Sequence, residues 1–172
     1  MMNLIKKLAY FHVSATFFTV LLIALTTVPA VSEEYKALDG VQKIKAVFDV
    51  SLGEPSAAPV VFWAVRNVYE DKSIQELPEE TEVAVVFHGP AVKLISTDSD
   101  GYSDKEKKAL DEFAAMIRQM KQDGVTLEVC MYAVKVFGID PQSILPEIDR
   151  VGNGFISVVG YQAQGYSVVV VK

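Results

Sequence analysis

Cys130 is the single cysteine of the 172-residue chain, and it stands where an apolar run, Val125-Thr126-Leu127-Glu128-Val129, gives way to a segment with helical patterning. A second run, Glu82-Val83-Ala84-Val85-Val86-Phe87, ends in the same way on His88-Gly89-Pro90. A thiol and an imidazole are the side chains best able to act as nucleophile and proton carrier near neutral pH. In open parallel sheets ligands gather outside the carboxyl ends of the strands. Cys130 and His88 are therefore the candidate catalytic pair if both runs are strands of one sheet. Both residues also have a plain structural reading. A free cysteine between Val129 and Met131 can serve as a small buried hydrophobe, and a histidine before Gly-Pro can hold a turn through a backbone carbonyl.

Several chemistries are excluded by what the chain lacks. A disulfide oxidoreductase needs a Cys-x-x-Cys pair, and there is no second cysteine. A zinc site takes three or four ligands, so one Cys and one His would have to be completed by carboxylates or a neighbouring subunit. Gly152-Asn153-Gly154 lacks the third glycine of a dinucleotide-binding turn and lies far from the first strand. No nucleophile elbow frames a serine. Asp98, Asp100 and Asp104 surround Gly101 without the spacing or the closing glutamate of an EF-hand. The sequence calls for no cofactor and no metal.

The compartment is set by the first 30 residues. Lys6 and Lys7 precede an uncharged apolar stretch over 8–27, and Val28-Pro29-Ala30 supplies small residues for a signal peptidase. This predicts a cleaved signal peptide over 1–30, a single mature domain over 31–172, and a periplasmic location in a Gram-negative source. The rival is an uncleaved anchor, because the stretch approaches the roughly 20 apolar residues of a spanning helix. With no cysteine near Ala30, a lipid anchor is disfavoured. Cleavage removes two of 16 basic residues and none of 22 acidic ones, so the formal charge moves from −6 to −8. So acidic a surface is a poor partner for nucleic acid. About 140 residues suffice for one domain with a proper core, and His88 is then the one remaining histidine.

The elements that must position the pair alternate between short apolar and longer amphipathic segments. Residues 45–52 read as a first strand, and 58–69 as a helix whose Phe62, Trp63 and Tyr69 would suit a subunit interface. Residues 71–81 are a connection, 82–87 a second strand, and 90–96 a short helix opened by Pro90. Ser103-Asp104-Lys105-Glu106 has the form of a capping box. Behind it Leu110, Phe113, Ile117 and Met120 recur at helical spacing until Asp123-Gly124. A third strand covers 125–129, a helix 131–137, and a further helical turn or two 141–151. Residues 155–159 are ambiguous, β-branched and compatible with a strand by propensity, and 165–171 is a last strand. Strands separated by helices predict an α/β fold, a parallel sheet with helices on both faces.

The succession VFDVS, AVRNV, EVAVVFHGPAVKLI, DGVTLEVC and FGIDPQSILPEIDRVGNGFISVVGYQAQGYSVVVV resembles the DsrE/DsrF-like proteins, specifically their exported branch. The resemblance runs from about Lys43 to the last strand. It implies a flavodoxin-like sheet, assembly into trimers or larger rings, and a helix over 152–164 in place of the strand that propensity gives. In the sulfur-relay members a cysteine aligned with Cys130 carries sulfur as a persulfide and passes it on, which implies a sulfur donor or acceptor protein as partner. No histidine role is implied for His88. Two functions of different class follow. One is a periplasmic persulfide carrier built on Cys130; the other is a non-catalytic oligomeric binding module that uses the strand-end crevice, with Cys130 structural.

Overall fold

The computed structural model describes residues 35–172. The proposed leader and its cleavage site lie outside the described residues. Five strands, β1 (Lys45–Val50), β2 (Glu82–Phe87), β3 (Thr126–Cys130), β4 (Asp149–Val151) and β5 (Ser167–Val171), form one sheet in the order β4-β3-β2-β1-β5. Every pairing is parallel. The α/β sheet with helices on both faces is thus the observed architecture.

Chain direction explains how the helices divide. From β1 to β2 to β3 the chain steps one way across the sheet, so right-handed crossovers put α1 (Ala58–Glu70) and α3 (Asp104–Gln122) on the same face. The return from β4 at one edge to β5 at the other steps the opposite way. That crossover, α5 (Gly154–Ala163), therefore falls on the opposite face, where it touches β1, β2, β3 and β5. Two short helices complete the set: α2 (Lys72–Gln75) in the connection before β2, and α4 (Met131–Val136) directly after β3.

The α1/α3 face holds the main core. Phe62 of α1 stacks on Phe87 of β2 at 5.7 Å and meets Phe113 of α3 edge-on at 4.6 Å. Phe62 is fully buried there, so of the residues expected at an interface on α1 only its neighbour Trp63 stands clear, 66% exposed. Helix α3 starts as its sequence predicts: Ser103 Oγ accepts from the Glu106 N–H, and the Glu106 carboxylate accepts from the Ser103 N–H. The opposite face is thinner, with Val47, Ala84, Val86 and Val158 as its buried cluster.

Three local expectations are corrected. Residues 141–151 are not helical beyond one 3-10 turn, Pro141–Ser143, and they end in β4. Residues 90–96 form a 3-10 turn, Gly89–Lys93, in place of an α-helix, with Gly89 at φ +52, a backbone that side-chain-bearing residues rarely adopt. Residues 155–159 are helical within α5, as the family resemblance implied. Their β-branched residues lie on a crossover that must bridge two sheet edges, and tertiary demand overrides propensity.

Candidate functional site

Strand alternation settles which side chains meet at the carboxyl edge. On β1 Ala46, Phe48 and Val50 face the main core and Val47 faces α5, so Asp49 also faces α5. On β2 Val86 faces α5, and so does His88, whose N–H donates to the Val50 carbonyl at 2.9 Å. On β3 Glu128 faces α5, accepting a hydrogen bond from the Tyr161 hydroxyl at 3.0 Å. Cys130, two residues on, leaves the strand on the same side.

The roof over this edge is the first turn of α5. A Cβ built at Gly154 would lie 3.0 Å from Cys130 Cβ, 3.0 Å from Val86 Cγ1 and 3.7 Å from His88 Cβ. The two candidate residues are therefore brought together, both leaving their strands against the same point of backbone. Glycine at 154 is what allows that backbone to come so close. Asn153 caps the helix, its Oδ1 accepting from the Phe155 N–H at 3.0 Å. Phe155 then sets its ring edge-on to the His88 imidazole at 5.2 Å.

Between these parts lies a cleft of about 240 Å³ lined by His88, Cys130, Tyr132, Val136, Phe137 and Phe155, among others. Cys130 is 4% exposed. It occupies the cap position of α4, where its Sγ accepts from the Ala133 N–H at 3.5 Å, a role usually filled by a hydroxyl or carboxylate. That N–H supports negative charge on the sulfur, which is the reactive form of a thiol. The Tyr132 N–H donates to the Gly152 carbonyl at 3.1 Å, tying the start of α4 to the approach of α5.

One residue of this site was not picked out by sequence reasoning. Asp49 Oδ1 lies 2.6 Å from His88 Nε2. The signal was available: a lone carboxylate inside the apolar run Ala46-Val47-Phe48-Asp49-Val50. Among the described residues no group of three or more His, Cys, Asp or Glu side chains is arranged to hold a metal ion, and no helix there is long and apolar enough to cross a membrane.

A larger hollow, about 890 Å³, opens at the other end of the sheet. It is a polar surface depression in which Glu82 bridges Lys43 (2.5 Å) and Tyr166 (2.6 Å). Hydrogen bonding from Lys43, then from Tyr166, holds the Glu82 carboxyl down at about 2. Neither Cys130 nor His88 is near it, and the chemistry-bearing side chains favour the smaller cleft.

Comparisons agree with this architecture. A protein of unknown function from Methanobacterium thermoautotrophicum, MTH1491, superposes with a TM-score of 0.57 at 20% identity, covering 74% of this chain and 98% of its own. A conserved protein of unknown function from Bacteroides thetaiotaomicron, BT1422, does so with a TM-score of 0.52 at 16% identity, over 80% of this chain and 100% of its own. At these identities they speak for the fold alone. No curated protein matches the sequence. The family model described as "DsrE/DsrF-like family" matches residues 20–171. On that match the chain belongs to the DsrE/DsrF-like family.

Proposed function

We propose that the protein is a sulfur carrier of the periplasm, delivered there by its leader, in which Cys130 accepts sulfane sulfur and hands it to a recipient. The observation that carries this reading is that Cys130, its Sγ held by the Ala133 N–H, lines the same cleft as His88. In the forward step the Cys130 thiolate attacks the outer sulfur of a persulfide donor. The donor S–S bond breaks, a new S–S bond forms on Cys130, and the donor leaves as a thiolate. Attack by a recipient thiol on the outer sulfur reverses the sequence. No external oxidant or reductant is consumed, because one S–S bond replaces another. His88 takes the thiol proton on entry and returns one to the leaving sulfur.

Intact mass of the full chain and of Cys130→Ser tests this, after exposure to a low-molecular-weight persulfide and then to iodoacetamide. A gain of one sulfur on the wild type alone is the expected result. A Cys130 that neither gains sulfur nor is alkylated overturns the reading. That result would favour the second one, an oligomeric binding module with a structural thiol, for which the 4% exposure of Cys130 and the exposed Tyr132, Val136 and Phe155 around the cleft speak. In that case Cys130→Ser leaves assembly unchanged by light scattering, and the homo-oligomer, a trimer or a multiple of it, is the functional unit.

A further inference from the structure

His88 Nε2 and Asp49 Oδ1 are both wholly buried, and among the described residues neither makes an aligned hydrogen bond with any group. They stand 2.6 Å apart, so each is the group nearest in charge and chemistry to serve as the other's counterpart. Asp49 has no evident structural reason to be charged. It shares its face of the sheet with Val47, Ala84 and Val86, and although its side chain keeps 20% exposure, the buried oxygen lacks water and is costly unless it is paired. The ring has little freedom to turn away. The His88 backbone is fixed to the Val50 carbonyl of the same strand that carries Asp49, and Phe155 closes on the ring from α5.

We propose that Asp49 is a positioning residue that keeps the proton on Nε2 of His88, so that Nδ1 is the nitrogen exchanging protons with Cys130. This rests on the sulfur-carrier reading. A histidine's tautomer is set by the bond its other nitrogen makes, and a carboxylate at Nε2 both fixes the N–H there and stabilises the imidazolium formed when Nδ1 takes the thiol proton. The imidazolium then stands beside the Cys130 sulfur while it is anionic, and the proton passes from Nδ1 to the departing thiolate. Proton and charge balance without a further group. Asp49 from β1 touches His88, and Cys130 from the end of β3 and Tyr132 from α4 are the titratable groups that line the cleft with it. From α5 and its cap come Phe155 and Asn153, which carry no charge, and Lys93 is turned over the Phe137 ring at 5.3 Å.

Ring-nitrogen NMR on the full-length wild type, with the His88 signals assigned by their loss in His88→Gln, reads the tautomer directly. The expected result is a neutral ring protonated on Nε2; a ring protonated on Nδ1 overturns the proposal without any change at Asp49. In Asp49→Asn the neutral His88 ring should no longer be held to the Nε2-protonated form. The pH profile of Cys130 alkylation should move, and sulfur uptake at neutral pH should slow by between about tenfold and the roughly hundredfold expected for losing the proton carrier itself. Asp49→Glu should restore part of the rate. An Asp49→Asn protein with an unchanged alkylation profile overturns the proposal even if the tautomer changes, because Asp49 would then order the ring without serving the thiol. If the wild type takes up no sulfur at all, the carrier reading falls, while the tautomer and the alkylation profile still decide whether Asp49 acts through His88 on Cys130.

Discussion

On the α1/α3 face three rings, Phe62, Phe87 and Phe113, interlock over the sheet with Leu110, Ile117 and Met120 behind them. On the α5 face four small apolar residues make the buried cluster, and the same strands present Asp49, His88 and Glu128. The first face is filled by large side chains that need no partner but one another. The second is covered by one helix, and each polar group there needs a specific counterpart. Burial of apolar area stabilises in proportion to its extent, so the fold rests on the first face, and the second can carry groups whose burial is unfavourable. The cleft is cut into the face that contributes less to stability.

Truncation gives the largest effect. Phe113→Ala, on the filled face, should cost about 3–5 kcal/mol, whereas Val158→Ala, on the thin face, should cost about 1–2 kcal/mol at roughly 0.8 kcal/mol per buried methylene. Urea unfolding of both variants reads the difference, and equal losses would break the contrast between the faces. Within α5 a pair of glycines sharpens it. Gly154→Ala puts a methyl 3.0 Å from both Cys130 Cβ and Val86 Cγ1, which should cost about 1–3 kcal/mol by overpacking and slow Cys130 alkylation. Gly160→Ala, in the same helix with nothing within 4 Å of its added carbon, should stabilise by up to about 1 kcal/mol. Opposite signs are expected in thermal melts.

The smallest effect is at the far end of the sheet. Glu82, held down at about 2 by Lys43 and then Tyr166, is more acidic folded than unfolded. Its contribution is present above the ordinary carboxylate value and disappears as pH falls from about 4.5 toward 2. Glu82→Gln should therefore flatten the loss of stability across that window and leave the rest of the profile alone. The effect is small, because Glu82 and Lys43 are open to solvent screening. A denaturant midpoint at pH 3 and at pH 7, in variant and wild type, checks it.

How much of this was legible in the sequence differs by the same division. Short apolar runs located β1, β2, β3 and β5, and the Ser103–Glu106 box fixed the start of α3, because each of these elements is marked by its own residues. Strand β4 was not legible. Asp149-Arg150-Val151 is short and polar, and it is a strand only because β3 offers it an edge. Helix α5 ran against the propensity of its own residues, and only the family resemblance indicated it. Cys130 and His88 could be found as strand-end residues. Asp49 could not be assigned a role, since its meaning depends on β1 and β2 lying side by side in the register that sets Val50 against Phe87.

That register has a sequel in how the chain folds. β1, the first strand, pairs with β5, the last, bringing Ala46 against Ser167. Closing so long a loop is entropically late, and parallel pairs of high sequence separation form slowly. Helix α5 directly precedes β5 and supplies the roof over Cys130, so the thiol is covered only when this final pair zips. During folding Cys130 is an open sulfur exposed to oxidants, able to be driven to the irreversible acids. Final closure of the sheet is therefore also the step that confines the thiol to its cleft and limits what can reach it.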